Sequence, residues 1–224
     1  MKFLVNGKEV NWEPKNLLIA GYTSKDQNSL REHIEELEKI GVPAPPTVPM
    51  IYQLSPELLS TDAEITAVRN DSSGEAEVVI LNIEGEWYVG LGSDHTDRVL
   101  EAVSIQKSKQ VCAKPVTTKL WPLCSIEDHW DEIEMNSWYV VNGKEILYQS
   151  GKLAEFLTPT ELVEIIEARG YSVSEAAILC GTLPILSNEF LYGEEFKAEL
   201  YDPKSNERIS LSYQIKILKD AEVV

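Results

Sequence analysis

The sequence is poor in cysteine, histidine and positive charge, and it has no long apolar run. Its three cysteines, Cys112, Cys124 and Cys180, stand at irregular spacing without a C-x-x-C pair. An odd number at such spacing excludes a disulfide framework, so free thiols in a reducing compartment are expected, the usual one being a small buried hydrophobe. Lys and Arg total 20 against 37 Asp and Glu, a formal net charge of -17. A field of that sign repels phosphate backbones and anionic membranes, so nucleic acid and membrane are not expected partners. No stretch nears the ~18 apolar residues of a membrane span. The opening run Phe3-Leu4-Val5 is too short for a secretion signal, and a cytoplasmic protein is expected.

What is present is an ordinary globular composition, 43% hydrophobic and 25% charged over 224 residues, enough to bury a core without staples. No repeat or low-complexity tract divides the chain. One domain over 1–224 is expected, with 1–50 set off as a candidate subdomain. Asn6-Gly7 and Asn142-Gly143 mark hairpins between apolar runs. Leu17–Tyr22 reads as a strand and 29–40 as a helix, with Leu30, Ile34, Leu37 and Ile40 as its stripe. Pro43, Pro45, Pro46 and Pro49 stiffen the loop after it. Thr158, Pro159, Glu161 and Gly170 bracket a second helix. Ala176–Cys180 reads as a buried strand and the tail from Ile209 as alternating edge strands. Strands outnumber helices and adjoin through hairpins, so the fold class is α+β with largely antiparallel sheets.

Glu75 and Glu77 are two apart and share a strand face, which Val79 and Leu81 continue as an apolar surface. Closing a hairpin on Glu84-Gly85 sets Glu77 opposite Gly92 and Glu75 opposite Asp94. Three carboxylates would then converge, with Gly90 and Gly92 leaving room among them. Like charges placed opposite one another are destabilising, and a bound cation would reverse that. Hard oxygen donors suit Mg²⁺ or Mn²⁺, with Ca²⁺ a further option, rather than zinc. Spacing alone leaves a second reading open, in which Glu75 and Glu77 line a solvated face and Asp94 caps a helix.

His33 and Glu36 are neighbours on the first helix, at the edge of its apolar stripe. A carboxylate beside an imidazole raises its basicity, as a general base requires; an exposed pair on an acidic helix is the other reading. His95 could be a ligand or lie in a helix entry, and His129, ringed by acids, reads as surface.

Taken in order, these pieces resemble the fumarylacetoacetate hydrolase superfamily. The strand Leu17–Tyr22, the H-x-x-E segment His33-Ile34-Glu35-Glu36 and the proline-rich loop are followed by Glu75-Ala76-Glu77. Ser93-Asp94-His95-Thr96-Asp97-Arg98 is similar to the family's N-D-x-S-x-R, and Ala113-Lys114 to its Ala-Lys pair. Asn142-Gly143 with Gln149 and Gly151 resembles N-G-x-x-x-Q, and Gly181-Thr182 resembles the G-T-P turn. The chain departs from the family near Gln53, after Lys114 and after Thr182.

The resemblance implies a β-roll or sandwich with a few peripheral helices and a homodimer. It implies a metal held by Glu75, Glu77 and Asp94, with His33, Glu36 and Lys114 catalytic and Gln149, Gly181, Thr182 and Arg98 binding substrate. The implied activity is hydrolysis of a C–C bond in an acylpyruvate-like 2,4-dioxo acid through a pyruvate enolate. Decarboxylation of a 2-oxo acid, dehydration of a sugar acid, or a non-enzymatic metal- or ligand-binding role on the same scaffold are the alternatives. A 2-oxo or 2-hydroxy acid is the implied small-molecule partner.

Overall fold

The computed structural model describes residues 1–26, 31, 44–187 and 189–221. His33 and Glu36, with the helix expected to carry them, lie outside the described residues.

The first strands are β1 (Lys2–Val5), β2 (Lys8–Asn11), β3 (Asn16–Gly21), β4 (Met50–Leu54), β5 (Leu59–Ser60), β6 (Glu64–Val68) and β7 (Ser72–Ser73). Next come β8 (Ala76–Ile83), β9 (Glu86–Ser93), β10 (Thr96–Asp97), β11 (Lys114–Pro115) and β12 (Lys119–Pro122). The last are β13 (Glu134–Val141), β14 (Lys144–Lys152), β15 (Ala176–Thr182), β16 (Glu195–Asp202) and β17 (Glu207–Leu218). Three α-helices are described: α1 (Arg98–Glu101), α2 (Ile105–Gln110) and α3 (Pro159–Ala168).

An eight-stranded sheet runs β2-β1-β12-β9-β8-β15-β3-β4, and a five-stranded one runs β14-β13-β16-β17-β6. Most neighbours are antiparallel; β1–β12, β15–β3 and β17–β6 are parallel. The fold is α+β with mixed sheets, as the strand-rich pattern implies. The principal core lies between the sheets. Val78 and Ile80 of β8, Leu91 of β9 and Ile178 of β15 pack in one cluster with Tyr139, Phe196, Leu200 and Tyr213 of the smaller sheet and Leu162 and Ile166 of α3. A second cluster covers the opposite face of the large sheet, with Leu17, Ile19, Tyr52, Val79, Leu81 and Leu179.

All three expected turns form, with positive φ at both central residues: Asn6 and Gly7, Glu84 and Gly85, Asn142 and Gly143. That is the twist a two-residue hairpin needs. Glutamate is an unusual first residue for it. Glu175 compensates, its carboxylate accepting the Glu84 N–H at 3.1 Å and the Trp12 indole N–H at 2.6 Å. The capping box on α3 is complete, Thr158 accepting from the Glu161 N–H and Glu161 from the Thr158 N–H.

Two expectations fail here. The tail is not an edge: β17 lies between β16 and β6, so its alternating residues serve an interior strand. His129 is not a surface residue. It is 6% exposed, and its ring bridges Asp128 and Asp202 at 2.5 and 3.1 Å, because the segment before β13 folds down onto the β16–β17 turn. No described helix is long and apolar enough to cross a membrane.

Candidate functional site

Strand β8 is buried along its whole length, because sheet partners flank it and a core cluster covers each face. Its register with β9 sets Ile83 opposite Glu86, Leu81 opposite Tyr88, Val79 opposite Gly90 and Glu77 opposite Gly92. One step on, the Asp94 N–H donates to the Glu75 carbonyl at 3.0 Å. The hairpin geometry expected from Glu84-Gly85 is therefore realised, and it brings the three carboxylate-bearing residues to one end of the β8–β9 pair. β15 ends beside them, with Thr182 opposite Glu77. The reading of a solvated face does not hold for Glu77, which is 3% exposed, and Asp94 is fully buried. Asp97, not Asp94, caps α1, accepting from the Leu100 N–H at 2.7 Å.

Gly90 and Gly92 do not leave open space. A Cβ on Gly90 would lie 2.8 Å from Leu120, and one on Gly92 would lie 2.5 Å from Val79. Both positions are close-packed against neighbouring side chains.

Each carboxylate already has partners. Glu75 pairs with Arg98 at 3.1 Å. Glu77 accepts the Gly181 N–H at 2.9 Å. Asp94 takes Lys109, in a short ion pair, and Lys114 at 3.4 Å. Burial, then the neighbouring Asp94, push the Glu77 carboxyl well above the usual carboxylate range. Burial also pushes Asp94 up, but Lys109 and Lys114 outweigh it and hold this carboxyl below its ordinary value. Burial lowers the Lys109 pKa, and the opposing charges of Asp94, Glu75, Glu77 and Glu101 more than restore it, so the net direction is up.

Lys109, carried by α2, is the residue that sequence reasoning missed. It lies 15 positions after Asp94 in the stretch Ile105–Gln110, which has no apolar stripe to announce a helix. Tyr52 was missed with it; its ring centroid is 5.8 Å from the Lys109 Nζ. Burial pushes the Tyr52 hydroxyl up to about 12.

The other candidates are bound into the frame rather than turned to an open cavity. The Lys114 ammonium donates to the carbonyls of His95 and Lys109 at 2.6 Å and of Cys112 at 3.1 Å. Arg98 donates to the Ser73 hydroxyl and carbonyl at 2.6 and 3.3 Å and to Glu101 at 3.0 Å, besides pairing with Glu75. Gln149 accepts from the Ala76 N–H and the Ser137 hydroxyl and donates to Thr182 Oγ1 and the Leu183 carbonyl. Thr182 in turn donates to the Ala76 carbonyl at 2.9 Å. Gln149, Gly181 and Thr182 thus lock the end of β15 onto the start of β8. His95 is buried between Tyr213 and Ser72, and burial drives its pKa down to about 3, so the ring is neutral.

A surface depression of about 410 Å³ lined by Leu58, Ser60, Asp62, Glu64 and Ala113 contains none of these carboxylates. As the side chains stand, no three acidic, histidine or cysteine groups among the described residues are spaced to hold one metal ion. The donor chemistry nonetheless fits a cation. Asp94 takes the ammonium groups of Lys109 and Lys114, and Glu75 takes the Arg98 guanidinium, so the cluster already holds positive charge.

The chain's fold is that of the fumarylacetoacetate hydrolase-type proteins. It is 17% identical to a protein of Oleispira antarctica described as a "putative fumarylacetoacetate isomerase/hydrolase", covering 96% of this chain and 99% of that one, with a TM-score of 0.69. A 2-keto-3-deoxy-D-arabinonate dehydratase complexed with magnesium and 2,5-dioxopentanoate is 16% identical, with 93% of this chain and 75% of that one covered and a TM-score of 0.69. Cg1458 is 13% identical over 95% of this chain and 83% of its own, with a TM-score of 0.64. No curated protein matches the sequence. Residues 20–213 match the family described as "Protein of unknown function (DUF2848)", and the chain belongs to that family.

Proposed function

We propose that this protein is a divalent-metal-dependent enzyme acting on a small 2-oxo acid, with Mg²⁺ or Mn²⁺ held by Glu75, Glu77 and Asp94. The observation that carries the reading is the β8–β9 register, which brings Glu75, Glu77 and Asp94 to one end of the strand pair, beside the buried cations Arg98, Lys109 and Lys114. The magnesium and the dioxo acid described for the dehydratase of similar fold support it. A bound ion would supply Lewis-acid polarisation of the 2-oxo and carboxylate oxygens.

The chain's own residues do the rest. Arg98 fixes Glu75, and Lys114 fixes the backbone of Lys109 and the charge of Asp94. Gln149, Gly181 and Thr182 set the rim of the site. His33, oriented by Glu36, takes the proton of a water that attacks the 4-oxo carbon of a 2,4-dioxo acid. The C–C bond breaks, its electron pair passes to a pyruvate enolate, and protonation at carbon yields pyruvate and a carboxylic acid. The same reading includes a two-fold homodimer, for which light scattering should give twice 25.2 kDa.

The test is a substrate panel of acylpyruvates, oxaloacetate and 2-oxo-3-deoxy sugar acids, assayed with and without Mg²⁺ or Mn²⁺. Metal-dependent turnover of an acylpyruvate, with kcat lowered roughly 10²–10⁴-fold in His33→Ala, is expected. Turnover of the sugar acid or oxaloacetate alone would reassign the reaction to dehydration or decarboxylation. No turnover of any member would leave a binding protein on this scaffold.

A further inference from the structure

Three cations surround the carboxylate cluster, and they are not held alike. The Arg98 guanidinium is tied to Ser73, Glu75 and Glu101. The Lys114 ammonium is fixed by three backbone carbonyls and is fully buried. Among the described residues, the Lys109 ammonium is hydrogen-bonded to Asp94 alone. Its side chain is 10% exposed, against 0% for Lys114. A lysine stem is flexible, and its charge is a compact point that can shift without breaking a planar fork of bonds. The Tyr52 ring beside it offers a face for a retracted ammonium.

The cluster therefore holds two cations with several fixed partners and one held by a single carboxylate. The singly held one, Lys109, sits on Asp94.

We propose that Lys109 is a displaceable counterion: it neutralises the cluster in the metal-free protein and must yield Asp94 before a divalent ion can bind. The proposal rests on the metal-binding reading given above. Two consequences follow from charge alone. Removing Lys109 leaves buried carboxylate under-compensated, which destabilises the metal-free protein. It also removes the competitor, which tightens metal binding.

The experiment uses metal-stripped wild type, Lys109→Met and Lys109→Arg. Each is titrated with Mn²⁺ by calorimetry and melted with and without Mn²⁺. Lys109→Met should melt below wild type without metal, gain more than wild type on adding Mn²⁺, and bind Mn²⁺ roughly tenfold tighter or more. Lys109→Arg keeps the charge and should bind no tighter than wild type. Lys109→Gln replaces the methionine variant if that does not fold, and must show the same tightening. Mn²⁺ binding by Lys109→Met but not by wild type would also support the proposal. Equal or weaker binding by the neutral variants, with wild type binding Mn²⁺, overturns the counterion role and leaves the metal site standing. No binding by wild type or any variant overturns both.

Discussion

Gly181 donates its backbone N–H to the buried carboxylate of Glu77 across 2.9 Å, from a backbone with φ +105°. A Cβ at that position would lie 2.1 Å from Thr23 Oγ1. The register between β15 and β8 shifts at this point, so Gly181 forms the irregularity that turns an N–H toward the acid. Gly181→Ala should therefore lose more than about 2 kcal/mol of stability, through both strain and the clash. Urea unfolding of wild type and variant measures it; a loss under about 0.5 kcal/mol, the range of a neutral surface change, would contradict this role.

Gln149 has both oxygen acceptances and both N–H donations taken by protein groups. Gln149→Leu should cost roughly 3 kcal/mol or more, since several buried groups lose their partner together. A raised KM with stability unchanged would instead support direct contact with substrate, the role implied by the family resemblance.

The elements written locally were legible in the sequence. Asn6-Gly7 and Asn142-Gly143 carry their own turn chemistry, and Thr158 with Glu161 carries its cap. The alternation of Glu75, Glu77, Val79 and Leu81 fixed a register that Glu84-Gly85 then closed. What could not be read depends on distant partners. Glu175 anchors a turn 91 positions earlier. β6 covers β17 from far upstream in the chain. Lys109 reaches Asp94 from a short polar helix without periodicity. The residue types around Asp94 were visible; which cation would face it was decided by tertiary packing.

His129 makes a third prediction possible. Asp128, through its hydrogen bond, is the largest influence on the ring; burial opposes it, Asp202 adds to it, and Lys204 lies 3.5 Å from Nδ1. The net direction is upward from the usual value of about 6.5. The folded state therefore binds the proton more tightly than the unfolded chain. The stability this supplies is fully present below about pH 6.5 and is lost as pH rises through the higher folded value. Unfolding of wild type and His129→Gln should differ most near about pH 5.5, with the gap narrowing toward about pH 8.5. A gap that widens with pH would reverse the assigned sign.

The most direct measurement is the anomalous difference density of a crystal soaked in Mn²⁺. A single peak bounded by the carboxylates of Glu75, Glu77 and Asp94, with the Lys109 ammonium moved off Asp94, is the predicted result. A cluster without a peak, Lys109 still paired to Asp94 at saturating Mn²⁺, would contradict the account.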